Sequence, residues 1–325
     1  MARVFCLGEA LVDRLLPWSS DSGRDCLGGA PANGACALAR LGTSVAYIGR
    51  LGRDAIGAQF DELFAKRGVD TESLQWDEHR PSRIVLVERD ASGDRCFGGF
   101  EGDRGAGFAD AALDATKLPS ALGSVGDWLA VGTIPLATPQ SAEALHQAIA
   151  RQRAAGGHVV LDVNWRPTFW GLAVDAEPTD PIRKQFFEVL EQVQLIKFAA
   201  EEAEALFSSR DPQLVSAALP QRPSVVITDG GDGVSWSLGA VSGSMSSYRV
   251  AVVDTTGAGD AFLAGLLHKL SKKPDLLVGA SEQLVRQVFS FASACGALVC
   301  QGAGAIDPQP EEAAVLNFMD NHQAG

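Results

Sequence analysis

The stretch Asp254-Thr255-Thr256-Gly257-Ala258-Gly259-Asp260-Ala261-Phe262 concentrates residue types that do chemistry. Gly257, Ala258 and Gly259 leave main-chain N–H groups unobstructed just where an apolar helix, 261–270, begins. A helix start favours negative charge, so this turn can cradle an anion such as a phosphate. Asp260 falls in the first turn of that helix. Alone, it reads as an ordinary helix-start aspartate. Beside a phosphate cradle, however, a carboxylate is electrostatically awkward unless it accepts a proton. Phe262 stands where the dinucleotide fingerprint GxGxxG needs its third glycine, and neither GxxxxGK[ST] nor GxSxG occurs. Nicotinamide binding, P-loop chemistry and a hydrolase nucleophile elbow are therefore poor readings.

Those groups need a scaffold. Short β-prone runs at 3–7, 44–48, 128–131, 158–163, 195–198 and 224–228 alternate with helical stretches. Pro31 and Gly42 bracket a helix over 31–41, an amphipathic segment over 55–67 stops at Gly68, and 141–154 and 182–193 follow. This alternation predicts βα units on a mostly parallel sheet covered on both faces, an α/β fold. A further β-prone run, 250–253, leads into the glycine turn. Two segments break the rhythm. Residues 15–27 are polar and loop-like, while 83–88 and 94–100 flank Ala91-Ser92-Gly93-Asp94, a hairpin signature. The hairpin pattern allows either a cover over a site or an edge of the main sheet.

The bulk properties narrow the class. The chain has 325 residues, 46% hydrophobic and 21% charged, close to the globular average. Its 27 basic against 40 acidic residues give a net charge of −13, which argues against a nucleic-acid partner. No apolar run is long enough to cross a bilayer. Glu9 and Asp13 interrupt the first apolar run, so no secretory signal is read and a cytoplasmic location is expected. Six cysteines without a CxxC pair read as buried thiols, and five scattered histidines without HExxH do not suggest zinc.

Three separated motifs carry a family resemblance. Asp254–Phe262 resembles the C-terminal signature of the ribokinase-like (PfkB) carbohydrate kinases. Gly28-Gly29-Ala30-Pro31-Ala32-Asn33, followed by Ala37–Gly42 and Gly49–Asp54, is similar to their N-terminal signature. Asp162-Val163-Asn164-Trp165-Arg166-Pro167 with Trp170 resembles an element of the fructokinase branch. The resemblance runs from Gly8 to about Pro310 and implies a single ribokinase-like domain over 1–325. Its form would be a three-layer αβα sandwich with a small β lid from segments 14–27 and 83–105.

The resemblance also implies roles. Asp260 would be the base that deprotonates a sugar hydroxyl, and Gly257, Ala258 and Gly259 would hold the migrating phosphoryl group. Asp13, Gly28, Gly29, Asn33 and Arg166 would contact the sugar; a turn aspartate, a turn glycine and a structural salt bridge are the plainer readings of Asp13, Gly28 and Arg166. Thr228, Gly230 and Gly233 match a nucleotide-binding turn, although on pattern alone they read as a hairpin turn. Glu202 would organise Mg²⁺ through water, and Asp254 with the carbonyl of Thr256 matches positions that hold K⁺ in many relatives. Two departures stand out: Ala199 replaces a common Asn or Ser, and Phe100–Ala106, with Glu101 and Arg104, differs from the usual fructokinase lid.

The implied activity is ATP-dependent phosphorylation of a primary sugar hydroxyl, fructose to fructose 6-phosphate foremost. The implied partners are sugar and ATP, with neither nucleic acid nor membrane, and a homodimer through the lid. A 2-keto-3-deoxygluconate kinase, a nucleoside kinase and a non-catalytic sugar sensor are the alternatives.

Overall fold

The computed structural model describes residues 2–17, 23–89, 95–102, 105–273 and 275–322. Its strands are β1 (Val4–Leu7), β2 (Leu11–Leu15), β3 (Arg24–Gly28), β4 (Val45–Gly52), β5 (Leu74–Asp77), β6 (Arg83–Arg89) and β7 (Arg95–Phe100). They continue as β8 (Trp128–Gly132), β9 (His158–Asp162), β10 (Leu195–Ala199), β11 (Ser224–Asp229), β12 (Gly233–Leu238) and β13 (Val241–Met245). The helices are α1 (Ala30–Arg40), α2 (Ala55–Arg67), α3 (Pro139–Ala154), α4 (Asp180–Leu190), α5 (Ala200–Phe207) and α6 (Pro212–Ala218). After them come α7 (Ala258–Lys272), α8 (Leu276–Gly279), α9 (Glu282–Val299) and α10 (Glu312–Asn321).

Nine strands form one sheet in the order β13-β12-β11-β10-β9-β8-β1-β4-β5, parallel from β11 to β5 with an antiparallel edge at β12 and β13. Strand side chains alternate between faces. Val4 and Cys6 of β1 therefore join Trp128 and Ala130 of β8 on the face packed by α1, α2, α7, α9 and α10. Phe5 and Leu7 join Leu129 and Val131 on the face packed by α3, α4, α5 and α6. Both faces are covered, which is the expected three-layer α/β sandwich.

A separate four-stranded sheet, β3-β2-β6-β7, takes β6 and β7 from the expected hairpin and β3 from the end of the segment expected as loop, while β2 (11–15) precedes both segments. Strand β2 pairs antiparallel with β3 and parallel with β6, and β6 pairs antiparallel with β7. The expected turn Ala91–Asp94 lies outside the described residues, as does Arg104.

One expected strand is absent. Residues 250–253 are irregular, with Val252 and Val253 61% and 65% exposed. The main-chain N–H of Val253 donates to Cys300 O at 2.8 Å, so this run ties down a loop without extending an edge. Context overrides β propensity here: the main chain of this run bonds to the loop at Cys300 and not to the outer edge of β13.

Cys6, Cys36 and Cys295 are buried free thiols, whereas Cys26 and Cys300 are half-buried. Among the described residues no helix is long and apolar enough to cross a membrane.

Candidate active site

From β1 the chain moves outward one way to β4 and β5, then the other way through β8, β9, β10 and β11. Such a reversal leaves a crevice beyond the carboxyl ends of the strands, where open α/β sheets bind ligands. A cavity of about 730 Å³ occupies that place. Strand ends supply Glu9 after β1, Ile134 after β8, Asp162 and Asn164 at β9, Ala199 at β10 and Thr228 at β11. The second sheet adds Asp13, Val85 and Phe97, and the start of α7 adds Gly257, Gly259 and Asp260.

Asp260 sits on the floor of this cavity. Burial pushes its carboxyl up to about 6, opposed by a hydrogen bond that Asn33 Nδ2 donates to Oδ2 at 2.8 Å. The negative charge of Asp162 raises it further, while Lys197 and Arg166 pull it down. A carboxylate poised near neutrality is suited to accept a proton.

Lys197 and Asp162 are functional candidates that sequence reasoning passed over. They are register partners on β10 and β9, their buried side chains joined at 2.8 Å. Burial works against the charge of Lys197, but Asp162, Glu202 and Asp260 outweigh it and hold the ammonium firmly protonated. A detectable signal existed: two opposite charges near the ends of otherwise apolar parallel strands.

Helix α7 begins at Ala258, three residues ahead of the expected 261, so the glycine turn supplies its first residues. Gly257 is its N-cap at φ 79°, and a Cβ there would lie 2.5 Å from that of Ala305. Only glycine satisfies both conditions. The N–H of Ala258 donates back to Thr255 O at 3.2 Å, so it closes the turn instead of facing the cavity. Among the described residues the N–H groups of Gly257, Gly259 and Asp260 find no acceptor, as befits a helix N-terminus open to an anion.

The sugar-side candidates divide. Asp13, Gly29, Asn33 and Arg166 line the cavity, whereas Gly28 does not. A Cβ on Gly28 would come within 3.4 Å of Asp13 Oδ2, so that glycine makes room for the aspartate. Gly29 caps α1 at φ 101° with Glu9 O close behind it, a position that keeps α1 near the β1 end. Among the described residues Arg166 makes no salt bridge; its guanidinium donates to Trp165 O at 2.8 Å, and the exposed side chain borders the cavity.

Thr228 borders both this cavity and a neighbouring one of about 310 Å³, which Gly230, Gly233 and Gly259 also line. Asp229 pairs with Gly233 across the β11–β12 hairpin, so the segment is a hairpin turn and a cavity wall at once. Glu202 accepts from Ala199 N at 2.8 Å and from Trp165 N at 2.7 Å. Ala199 has no side chain to cap α5 in return, and Glu202 alone secures that helix start. Burial and Asp162 raise the Glu202 carboxyl, offset by Lys197 and the two amides. Asp254 accepts from Thr256 N, Thr256 Oγ1 and Gly304 N at 3.0, 2.7 and 2.9 Å, pinning the 300–305 loop to the glycine turn.

Comparison with known proteins agrees with this geometry. Residues 1–312 match the family described as pfkB family carbohydrate kinase. A fructokinase of Vibrio alginolyticus is 32% identical over 323 residues, 98% of this chain and 99% of that one. The crystal structure of a Vibrio cholerae O395 fructokinase with fructose, ADP and calcium ion superposes with a TM-score of 0.83 at 30% identity, covering 98% and 99% of the two chains. Aminoimidazole riboside kinase from Salmonella enterica, complexed with its riboside and an ATP analog, gives 0.82 at 29% identity over 98% and 99%.

Proposed function

The chain belongs to the pfkB family of carbohydrate kinases, and on that premise we propose that it transfers the γ-phosphoryl group of ATP to the primary hydroxyl of fructose, giving fructose 6-phosphate. One observation supports this most directly. A carboxyl raised to about 6 lies in the same helix turn as three N–H groups that have no acceptor among the described residues, at the floor of a cavity of about 730 Å³.

Phosphoryl transfer asks a protein mainly for alignment and charge stabilisation. In this reading Asp260 takes the proton of the attacking hydroxyl as the bond to phosphorus forms. The N–H groups of Gly257 and Gly259, with the dipole of α7, stabilise charge on the migrating group, a preorganised electrostatic contribution. Asp13, Gly29 and Asn33 hold the sugar, and Arg166 reaches toward the phosphates. ATP lies along Thr228, Gly230 and Gly233, with its γ-phosphoryl pointed to Gly259, which borders both cavities.

Mg²⁺ would accompany the nucleotide and neutralise phosphate charge. Glu202 fits a water-mediated hold on it, because each of its oxygens accepts one N–H and keeps a lone pair. Asp254 and the Thr256 carbonyl fit K⁺ only as the brace of two loops whose carbonyls would face the ion. The second sheet serves as the lid, with β3 and β7 as edges through which two copies would pair. The site of action is the cytoplasm.

ADP release measured across a panel of sugars and ribosides tests the reading. Fructose should give the highest kcat/KM. Turnover with an aminoimidazole riboside alone would move the chain to the riboside branch, and no turnover with any of them would end the kinase reading.

A further inference from the structure

Glu9 has no place in the roles derived above, yet it is among the most enclosed polar residues of the chain. It follows β1, is 3% exposed and borders the cavity. One carboxyl oxygen has a clear structural task. Oε1 accepts from Ala30 N at 3.1 Å, supplying the start of α1 with the side-chain cap that Gly29 cannot. The other oxygen, Oε2, is buried and meets no partner among the described residues. Buried polar atoms are rarely left so.

The same wall carries a second orphan. Asn33 is 5% exposed and gives its Nδ2 to Asp260, while its Oδ1 has no partner. Burial, with Asp110 and Asp260 as negative neighbours, pushes the Glu9 carboxyl up to about 8. The N–H groups of Glu9 itself and of Ala30 hold it down only in part, so at neutral pH the protonated form is favoured, its proton on the oxygen that accepts no bond. Both oxygens are closed to bulk water and each is left with one unmet bond, an acid O–H that can donate and an amide oxygen that can accept, and a hydroxyl group would meet both.

We propose that Glu9 is a specificity-determining residue whose Oε2 hydrogen-bonds an oxygen of the bound sugar other than the one that is phosphorylated. This rests on the sugar-kinase reading and adds a contact to it. A neutral acid suits the position: an ionised carboxylate so near Asp260 would oppose ionisation of the base, whereas a carboxylic acid holds the sugar without that repulsion.

Kinetics of two variants against a series of fructose analogues, each lacking one hydroxyl, tests the proposal. Glu9→Met keeps the volume and removes the polar atoms; Glu9→Gln keeps one donor and one acceptor. E9M should lower kcat/KM for fructose about 10- to 100-fold, the range for deleting a buried charged or polar partner, with KM for ATP unchanged. Its penalty for one particular deoxy analogue should fall to near one. E9Q should stay within about threefold of wild type and keep the wild-type analogue pattern. If E9M does not fold, Glu9→Asp, which withdraws the acid by one methylene, carries the same expectation.

Wild-type discrimination retained in E9M, or a loss spread equally over all analogues and ATP, overturns the Glu9 contact while leaving the kinase reading intact. A wild-type protein that turns over no sugar overturns both.

Discussion

Asn33 and Asp260 lie 227 positions apart in the chain, yet the amide of the first donates to the carboxylate of the second at 2.8 Å. That bond joins the N-terminal turn of α1 to the N-terminal turn of α7. It holds Asp260 in one rotamer and favours its ionised form against the burial that raises it. Removing the charge should separate activity from stability. Asp260→Asn is expected to lose about 10²–10⁴-fold in kcat, the usual contribution of a general base, while ATP still binds by calorimetry. A carboxyl that titrates higher in the folded state than its ordinary 3.8 lends stability below that value and loses it as pH rises through about 6. D260N escapes this loss, so at pH 8 it should be more stable than wild type by about 1–3 kcal/mol in urea unfolding. The difference should shrink toward pH 4.

The same carboxyl sets the acid side of the pH profile. With Asp260 ionised only above about 6, log kcat/KM should fall with unit slope below that pH. Asn33→Ala deletes the bond that favours the ionised form, and Lys197→Met deletes a favourable charge. Both variants should therefore move the acid limb to higher pH, and Lys197→Met should also leave Asp162 buried without its partner. Breaking such a pair costs about 3–5 kcal/mol, measurable by denaturant unfolding. An acid limb that stays in place in both variants would remove Asp260 from the profile.

Much of this site was legible because its parts are local. A helix N-terminus that presents N–H groups is a property of seven consecutive residues, and 254–260 state it fully. The βα alternation likewise announced the main sheet, and the hairpin that broke it became half of the second sheet, whose other strands, β2 and β3, were not read as strands from the pattern. What escaped was relational. The Lys197–Asp162 pair exists only through the register of β9 against β10, 35 residues apart. Glu9 looked like an interruption in an apolar run until the fold turned it to the cavity. The β-prone residues 250–253 remained a loop because their main chain bonds to Cys300, and the N–H of Ala258 was drawn into the turn by Thr255.

Gly257 tests the cradle without touching an ionisable group. At φ 79° an alanine is strained by about 1 kcal/mol or more, and its Cβ would press on Ala305. Ala305 follows Gly304, whose N–H is held by Asp254, so relief of the clash should displace that loop and rotate the N–H groups of the turn. Gly257→Ala should lower kcat by about 10²–10³, as loss of a preorganised oxyanion donor does, with KM for the sugar changed less than threefold. A variant with wild-type kcat would show that these amides do not bear on the transferred group.

A buried ion pair fastens the second sheet to the body of the protein. Arg83, at the start of β6, donates Nε and Nη2 to the two carboxyl oxygens of Asp110 at 2.7 and 2.9 Å. Each side chain is 5% exposed. The rings of Phe100, Phe108 and Phe169 surround the guanidinium at 4.5–4.9 Å, joining the second sheet, the main body and the segment after Arg166. A planar fork fits this cage and a lysine does not. Arg83→Met should thus destabilise by about 3–5 kcal/mol, because Asp110 is left buried and charged. The double variant Arg83→Met with Asp110→Leu, apolar on both sides, should recover most of that stability. It should not recover function: without the fork, β6 and β7 lose their fixed distance from the body, and Val85 and Phe97 no longer close the cavity. KM for the sugar should stay raised by about tenfold or more in the double variant while KM for ATP returns to normal. Recovery of both constants together would show that the pair contributes to folding alone.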